Sequence, residues 1–154
     1  MRAVVQRVSR ARVTVEGEET GSIQAGLLLY VGVGPDDAGD EVDWLTAKLA
    51  TIRIFPDEQG RFDRSLEDTG GAILVVSQFT LYGDTRRGRR PAFTSAAPPE
   101  VAEPLIEQLV ESLRARGIEV ATGRFGAHML VDAVNDGPVT ILLDSADRDR
   151  PRRG

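Results

Sequence analysis

A chain of 154 residues with 41% apolar side chains has the material for one domain with one core. It contains no cysteine, which excludes disulfides, thiolate metal sites and a thiol nucleophile, and no apolar run approaches the roughly 18 residues of a bilayer span. The net charge of −5 argues against a nucleic-acid partner only as a sum, because 18 of the 19 basic residues are Arg, Lys48 being the exception. Arg86, Arg87, Arg89 and Arg90 form one cluster, and Arg148, Arg150, Arg152 and Arg153 another. Arg suits bidentate phosphate contacts, although GC-rich coding produces the same excess. Met1 to Arg7 offers neither a long apolar stretch nor a small-residue cleavage site, so a cytoplasmic location is expected.

Ala3 to Val8 alternates and predicts a first strand. Arg12–Glu16 and Thr20–Ile23 predict a hairpin around Gly17-Glu18-Glu19. Leu27 to Val33 is continuously apolar, as for a strand buried on both faces. Gly34-Pro35-Asp36-Asp37 breaks the chain and offers capping carboxylates. Val42, Leu45, Leu49 and Ile52 then place one apolar stripe on a helix over 39–51. Arg53–Phe55 reads as a short strand and Asp57–Gly60 as a turn. Gly70-Gly71 precedes the strongest strand signal, Ala72–Val76. Residues 83–97 lack periodicity and predict a long functional or mobile loop. Val101, Leu105, Leu109 and Leu113 predict a second helix stopped by Gly117, with Pro104 tolerable only near its start. Ile118–Ala121, His128–Val134 and Val139–Leu143 predict the closing strands. Residues 145–154 are polar and aperiodic, which predicts a disordered tail after a domain spanning 1–144.

Several sources of chemistry are missing. His128 is the single histidine, with no second one to complete a metal site, and a lone His on a strand is ordinarily structural. No Gly-x-Ser-x-Gly elbow occurs. Gly83 to Gly88 outlines a phosphate loop, but Arg89-Arg90 stands where Lys-Ser/Thr is needed. Neither a metal nor a cofactor is expected.

Two segments remain. At Ser77-Gln78-Phe79-Thr80-Leu81 the apolar strand turns polar. Alternation places Gln78 and Thr80 on one face and Ser77 and Phe79 on the other. Free N–H groups at a strand end can form an oxyanion hole; the same residues can instead make local side-chain-to-backbone bonds. Asn135-Asp136-Gly137-Pro138-Val139-Thr140 lies between two apolar runs. It reads as a hairpin turn or as a cis Gly-Pro peptide, an isomer uncommon enough that local physics does not select it.

These two segments resemble the bacterial D-aminoacyl-tRNA deacylase family. So do Gln6-Arg7-Val8, Val13-Thr14-Val15-Glu16-Gly17, Ala25-Gly26-Leu27-Leu28, Arg53-Ile54-Phe55, Gly88 through Pro91-Ala92-Phe93, and Thr122-Gly123-Arg124-Phe125. The match runs from residue 1 to about 144. The resemblance implies an α/β fold: a three-layer β/β/α single domain, mixed sheets covered by two helices, acting as a homodimer. It implies hydrolysis of the ester in D-aminoacyl-tRNA at the acceptor 3′ end, and of glycyl-tRNA mischarged on tRNA(Ala), since glycine has no side chain to reject.

The implied pocket floor is Ser77, Gln78, Phe79 and Thr80. Gly137 and Pro138 of the partner subunit, joined by a cis peptide, project two carbonyls into it. Those oxygens leave room for hydrogen but not for an L side chain, so chirality is selected by steric rejection. The N–H groups of Phe79 and Thr80 are the implied oxyanion donors. Thr80 is a weak nucleophile without a base, and the resemblance favours assistance by the tRNA 2′-hydroxyl. Arg7 supports Gly137-Pro138 from behind or makes a structural ion pair. Met129 falls near the pocket or in the core, and His128 receives no role. Arg86, Arg87, Arg89 and Arg90 meet tRNA phosphates or form a solvated loop. The competing readings are a noncatalytic RNA-binding module and an esterase with Thr80 as nucleophile.

Overall fold

A computed structural model describes residues 1–151. Its strands are β1 (Arg2–Val15), β2 (Glu18–Ile23), β3 (Gly26–Gly32), β4 (Phe55–Pro56), β5 (Phe62–Arg64), β6 (Ala72–Ser77), β7 (Val120–Thr122) and β8 (Leu130–Asp144). Its α-helices are α1 (Gly39–Thr51), α2 (Leu66–Thr69) and α3 (Pro99–Ala115). Six strands form one mixed sheet in the order β2-β1-β3-β6-β7, with β8 along the other side of β1; β4 and β5 make a separate ribbon. β3, β6 and β7 run parallel, and the other pairs are antiparallel.

The sheet curls until it nearly closes. A Cβ added to Gly21 of β2 would sit 2.3 Å from the Thr122 carbonyl oxygen of β7, so only glycine lets these two strands approach. The expected mixed sheets are therefore one curled sheet and a two-stranded ribbon. Inside the curl, Val8, Val13, Val15, Ile23, Leu28 and Leu74 form an inner core. On the outer face, Val5, Leu27, Leu29, Ile73 and Val75 pack beneath Leu45 and Leu49 of α1 and Leu109 and Leu113 of α3. β3 and β6 serve both cores by alternation, which is why their sequences read as unbroken apolar runs. Burying one such large side chain contributes roughly 1.5–3 kcal/mol, so these strands form the rigid floor from which the site is hung.

Four expectations are revised. The strands predicted at 3–8 and 12–16 are one element, β1, because exposed Ser9 and Arg10 interrupt the pattern without supplying turn chemistry. Register shifts against β8 on either side of Val8 change the phase, so Ala3 and Val5 face the helices while Ala11 and Val13 face the inner core. The strands predicted at 128–134 and 139–143 are likewise one, β8, and the intervening Asn135–Val139 is no hairpin turn. Val8 pairs with Asn135 and Gln6 with Thr140, leaving 136–139 bulged opposite the single residue Arg7. The short helix α2 was not predicted; its signal was Ser65-x-x-Asp68, a capping box, with Gly70 in the left-handed region ending it.

The tail is the fourth revision. Ser145–Asp147 forms a 3-10 turn, Ser145 is buried, and its hydroxyl accepts from the Met1 amine at 2.5 Å, so a disordered segment does not begin at 145. Arg148 pairs with Glu41 of α1 at 2.9 Å. Arg152 and Arg153 lie outside the described residues. In α3, Pro104 lies inside the helix and removes one N–H from its ladder. The core stripe is Ala102, Ile106, Leu109, Val110 and Leu113, whereas Val101 is exposed. Among the described residues, no helix is long and apolar enough to cross a membrane.

Candidate active site

The end of β6 turns a corner. Ala72 to Val76 are buried on both faces, and Ser77 is the last residue that pairs as strand. Gln78 donates its N–H to the Val31 carbonyl of β3 at 2.7 Å. Phe79–Tyr82 then closes into a 3-10 turn, with Leu81 N–H to the Gln78 carbonyl at 3.3 Å and Gly83 N–H to the Thr80 carbonyl at 2.9 Å. The predicted strand alternation thus ends at Ser77. Compact turns direct their first N–H groups outward without intrahelical acceptors. Those of Phe79 and Thr80 meet no acceptor among the described residues.

Beside this corner lies a cleft of about 600 Å³. Ser77, Gln78 and Phe79 line it, with Val31 and Val33 behind them. Ala97, Ala102 and Ile106 close one side; Phe125, His128 and Met129 close another. The walls are largely apolar with few polar groups, the usual character of a small-ligand site. Phe79 is 55% exposed and meets Phe93 edge-to-face, centroids 5.1 Å apart. Phe93 and Phe125 lie in segments that carry the family resemblance but receive no site role from the sequence; a lone aromatic in each of two loops is the available signal. Among the described residues, no group of three or more His, Asp or Glu side chains converges as metal ligands do.

The sequence candidates separate into groups. Ser77, Gln78, Phe79 and Met129 share the cleft. Met129 is half-buried and also packs against the inner core. Thr80, expected on the pocket floor, does not line the cleft: the turn leaves it exposed, and its hydroxyl accepts from the Gln78 amide Nε2. His128, given no role from the sequence, also lines the cleft. Gly137 and Pro138 do not line the cleft of their own chain.

Those two residues form the bulge opposite Arg7, and their peptide bond is cis. Arg7 is 8% exposed. Its Nε donates to the Asp136 carbonyl at 3.0 Å and an Nη donates to the Ile54 carbonyl at 2.8 Å. The guanidinium also faces the Asp136 carboxylate at 3.4 Å and lies 5.6 Å from the Phe62 ring centroid. Arg7 therefore both braces the bulge and makes an ion pair. The two carbonyl bonds matter more, since the Asp136 carboxylate is 58% exposed and screened by solvent.

Arg86, Arg87, Arg89 and Arg90 are all exposed on a loop closed by paired bonds between Asp84 and Ala92, at 2.8 and 2.9 Å. Asp84 grips Arg86 through backbone and side chain, and that guanidinium holds the Asp84 carboxyl below its ordinary range. Asp84 thus partly neutralises Arg86, although the Arg86 side chain stays exposed to solvent. Behind the 3-10 turn, Tyr82 donates its hydroxyl to Asp37 at 3.3 Å. Burial first, and the Asp37 charge second, push the phenol well above its usual value, so it remains protonated.

A family model described as D-Tyr-tRNA(Tyr) deacylase matches residues 4–144. The D-aminoacyl-tRNA deacylase of Roseiflexus sp. (strain RS-1) is 61% identical over 152 residues, covering 99% of this chain and 98% of that relative. That of Thermotoga petrophila is 58% identical over 146 residues, covering 95% and 98%. Among solved structures, the c-Myc DNA unwinding element binding protein superposes with a TM-score of 0.88 at 41% identity, over 94% of this chain and 99% of that one. A structure described as a "probable eukaryotic D-amino acid tRNA deacylase" has a TM-score of 0.81 at 20% identity, over 92% and 97%, a likeness of fold. The matched region takes in both the Ser77–Thr80 corner and the Arg7-braced bulge, and the relatives align almost end to end: this chain belongs to the D-Tyr-tRNA(Tyr) deacylase family.

Proposed function

We propose that this protein is a hydrolase that cuts the ester between a D-amino acid and the 3′ end of tRNA. The observation that carries the reading is the pair of N–H groups on Phe79 and Thr80, neither with an acceptor among the described residues, on a turn whose first residue, Phe79, lines an apolar cleft. Ester hydrolysis develops negative charge on the former carbonyl oxygen. Fixed donors with no other partner stabilise that charge without reorganising, and one such donor is worth roughly 10²–10³ in kcat.

The active form in this reading is a homodimer. Gly137 and Pro138 of the partner subunit enter the cleft and set their carbonyls against the substrate Cα. A D-residue then directs its side chain outward, an L-residue collides, and glycine passes, so glycyl-tRNA mischarged on tRNA(Ala) is also a substrate. Arg7 holds that element from behind through the Asp136 carbonyl. Met129 and Ser77 shape the wall, and Gln78 orients Thr80. The tRNA 2′-hydroxyl helps activate water, so no cofactor is required. Arg87, Arg89 and Arg90 meet the acceptor phosphates, with Arg86 bound to Asp84 as the loop's internal strut.

The test is release of amino acid from matched D- and L-aminoacyl-tRNA by the purified protein. Loss of the D-amino acid with the L-ester intact is expected; equal rates on both end the reading. Tight, salt-sensitive tRNA binding without turnover would identify a noncatalytic RNA-binding module instead. Thr80→Ala is expected to keep substantial activity and a terminal 2′-deoxy substrate to lose it. The reverse pattern would make Thr80 the nucleophile of an ordinary esterase. His128→Ala is expected to leave turnover within about threefold, because the mechanism gives the imidazole no proton to carry.

A further inference from the structure

Resting on the oxyanion role just assigned to the 79–80 turn, we propose that Tyr82 is a positioning residue that sets where those N–H groups point. The turn is four residues long and cannot hold its own orientation by internal bonds. Its far end is fixed by the Tyr82 ring. The ring lies on the backbone of Gly32 and Gly34: a Cβ at either glycine would come within 3.2 Å of it or closer. Both glycines are the space into which Tyr82 fits. On its other side the Arg2 guanidinium stands 4.5 Å from the ring centroid, a cation–π contact.

Arg2 also donates to the Leu81 carbonyl at 3.2 Å and pairs with Asp144 at 3.1 Å. The Tyr82 hydroxyl reaches Asp37, whose carboxylate accepts the Gly34 N–H at 2.6 Å. The last residue of the turn is thus held by the end of β3 and by Arg2 at the start of β1, which is itself fixed by Asp144 at the end of β8. The first residue is tied separately through Gln78 to Val31. A segment anchored at both ends keeps its N–H vectors fixed, and small displacements of such donors reduce rate without weakening substrate binding.

The experiment measures kcat and KM for D-aminoacyl-tRNA with Tyr82→Ala, Tyr82→Phe and Arg2→Ala. Tyr82→Ala is expected to lower kcat about tenfold or more with KM within about twofold, because oxyanion contacts exist only in the transition state. Tyr82→Phe keeps the ring on its glycines and the Arg2 contact, and is expected to restore kcat to within about threefold. Arg2→Ala removes a half-exposed side chain from the surface and is expected to lower kcat severalfold with KM unmoved. It decides the matter should Tyr82→Ala not fold. Unchanged kcat in a folded variant, or a loss residing in KM, overturns the proposal. Wild-type turnover of D-substrate alone establishes the underlying reading independently, and a wild type inert toward it removes both.

Discussion

Arg7→Ala tests how much the bulge depends on one buried side chain. Arg7 satisfies two carbonyls, that of Ile54 in a buried position and that of Asp136 in a half-buried one. Removal leaves the Ile54 oxygen without a partner, at about 1–3 kcal/mol; the Asp136 oxygen regains some water, at roughly 0.5–1.5 kcal/mol. The Asp136 ion pair adds little because its carboxylate faces solvent. The sum is about 1.5–4.5 kcal/mol, a large share of the roughly 5–15 kcal/mol that holds a domain together. Urea unfolding at fixed protomer concentration reads this directly, and Tm should fall by roughly 3–18 °C. Arg7→Lys keeps the charge but lacks the planar fork that reaches both carbonyls, so it should recover less than half of the loss. The same variant should unmoor Gly137-Pro138, raising hydrolysis of the L-ester relative to the D-ester by at least about tenfold. A loss below about 0.5 kcal/mol, full rescue by Lys, or unchanged chiral discrimination would refute the bracing role.

Three further outcomes are expected. Gly26→Ala should abolish the native fold or cost at least about 3 kcal/mol, since its Cβ would stand 1.8 Å from the Ala72 carbonyl oxygen across the β3–β6 pair; a near-wild-type melting curve would contradict that strand spacing. Replacing Arg87, Arg89 or Arg90 by Ala should each reduce the slope of log affinity for tRNA against log salt by roughly 0.7–0.9. Arg86→Ala should change the slope less, because Asp84 already holds it; the opposite ranking would reassign the phosphate contacts. Asp57, Asp68 and Glu41 are held below their ordinary values chiefly by the backbone N–H groups of Arg61, Ser65 and Ala38, and Asp84 chiefly by the Arg86 side chain. Depressed carboxyls contribute stability above their unfolded values of about 3.9–4.3 and lose it as pH falls through the lower folded values. Melting temperature should therefore be flat from about pH 7 to 5 and decline below about 4; a rise on acidification would contradict these bonds.

What the sequence determined was what local chemistry encodes. Apolar runs and helical spacing located β3, β6, α1 and α3, because each element buries its own pattern whatever its neighbours are. The polar change at Ser77–Thr80 and the Asn135–Pro138 stretch marked the two segments on which the proposed mechanism rests, and resemblance gave them their proposed roles. What only the tertiary structure decided depends on partners distant in the chain. Asn135–Val139 carries every residue of a hairpin turn, yet pairing with β1 across both flanks holds β8 extended and forces the surplus residues out as a bulge over Arg7. Thr80 was read on a strand face, yet the turn takes it off the sheet, because Tyr82 must reach the surface that Gly32 and Gly34 leave bare. Periodicity reports which face is buried; it carries no record of which long-range contact bends the chain away from it.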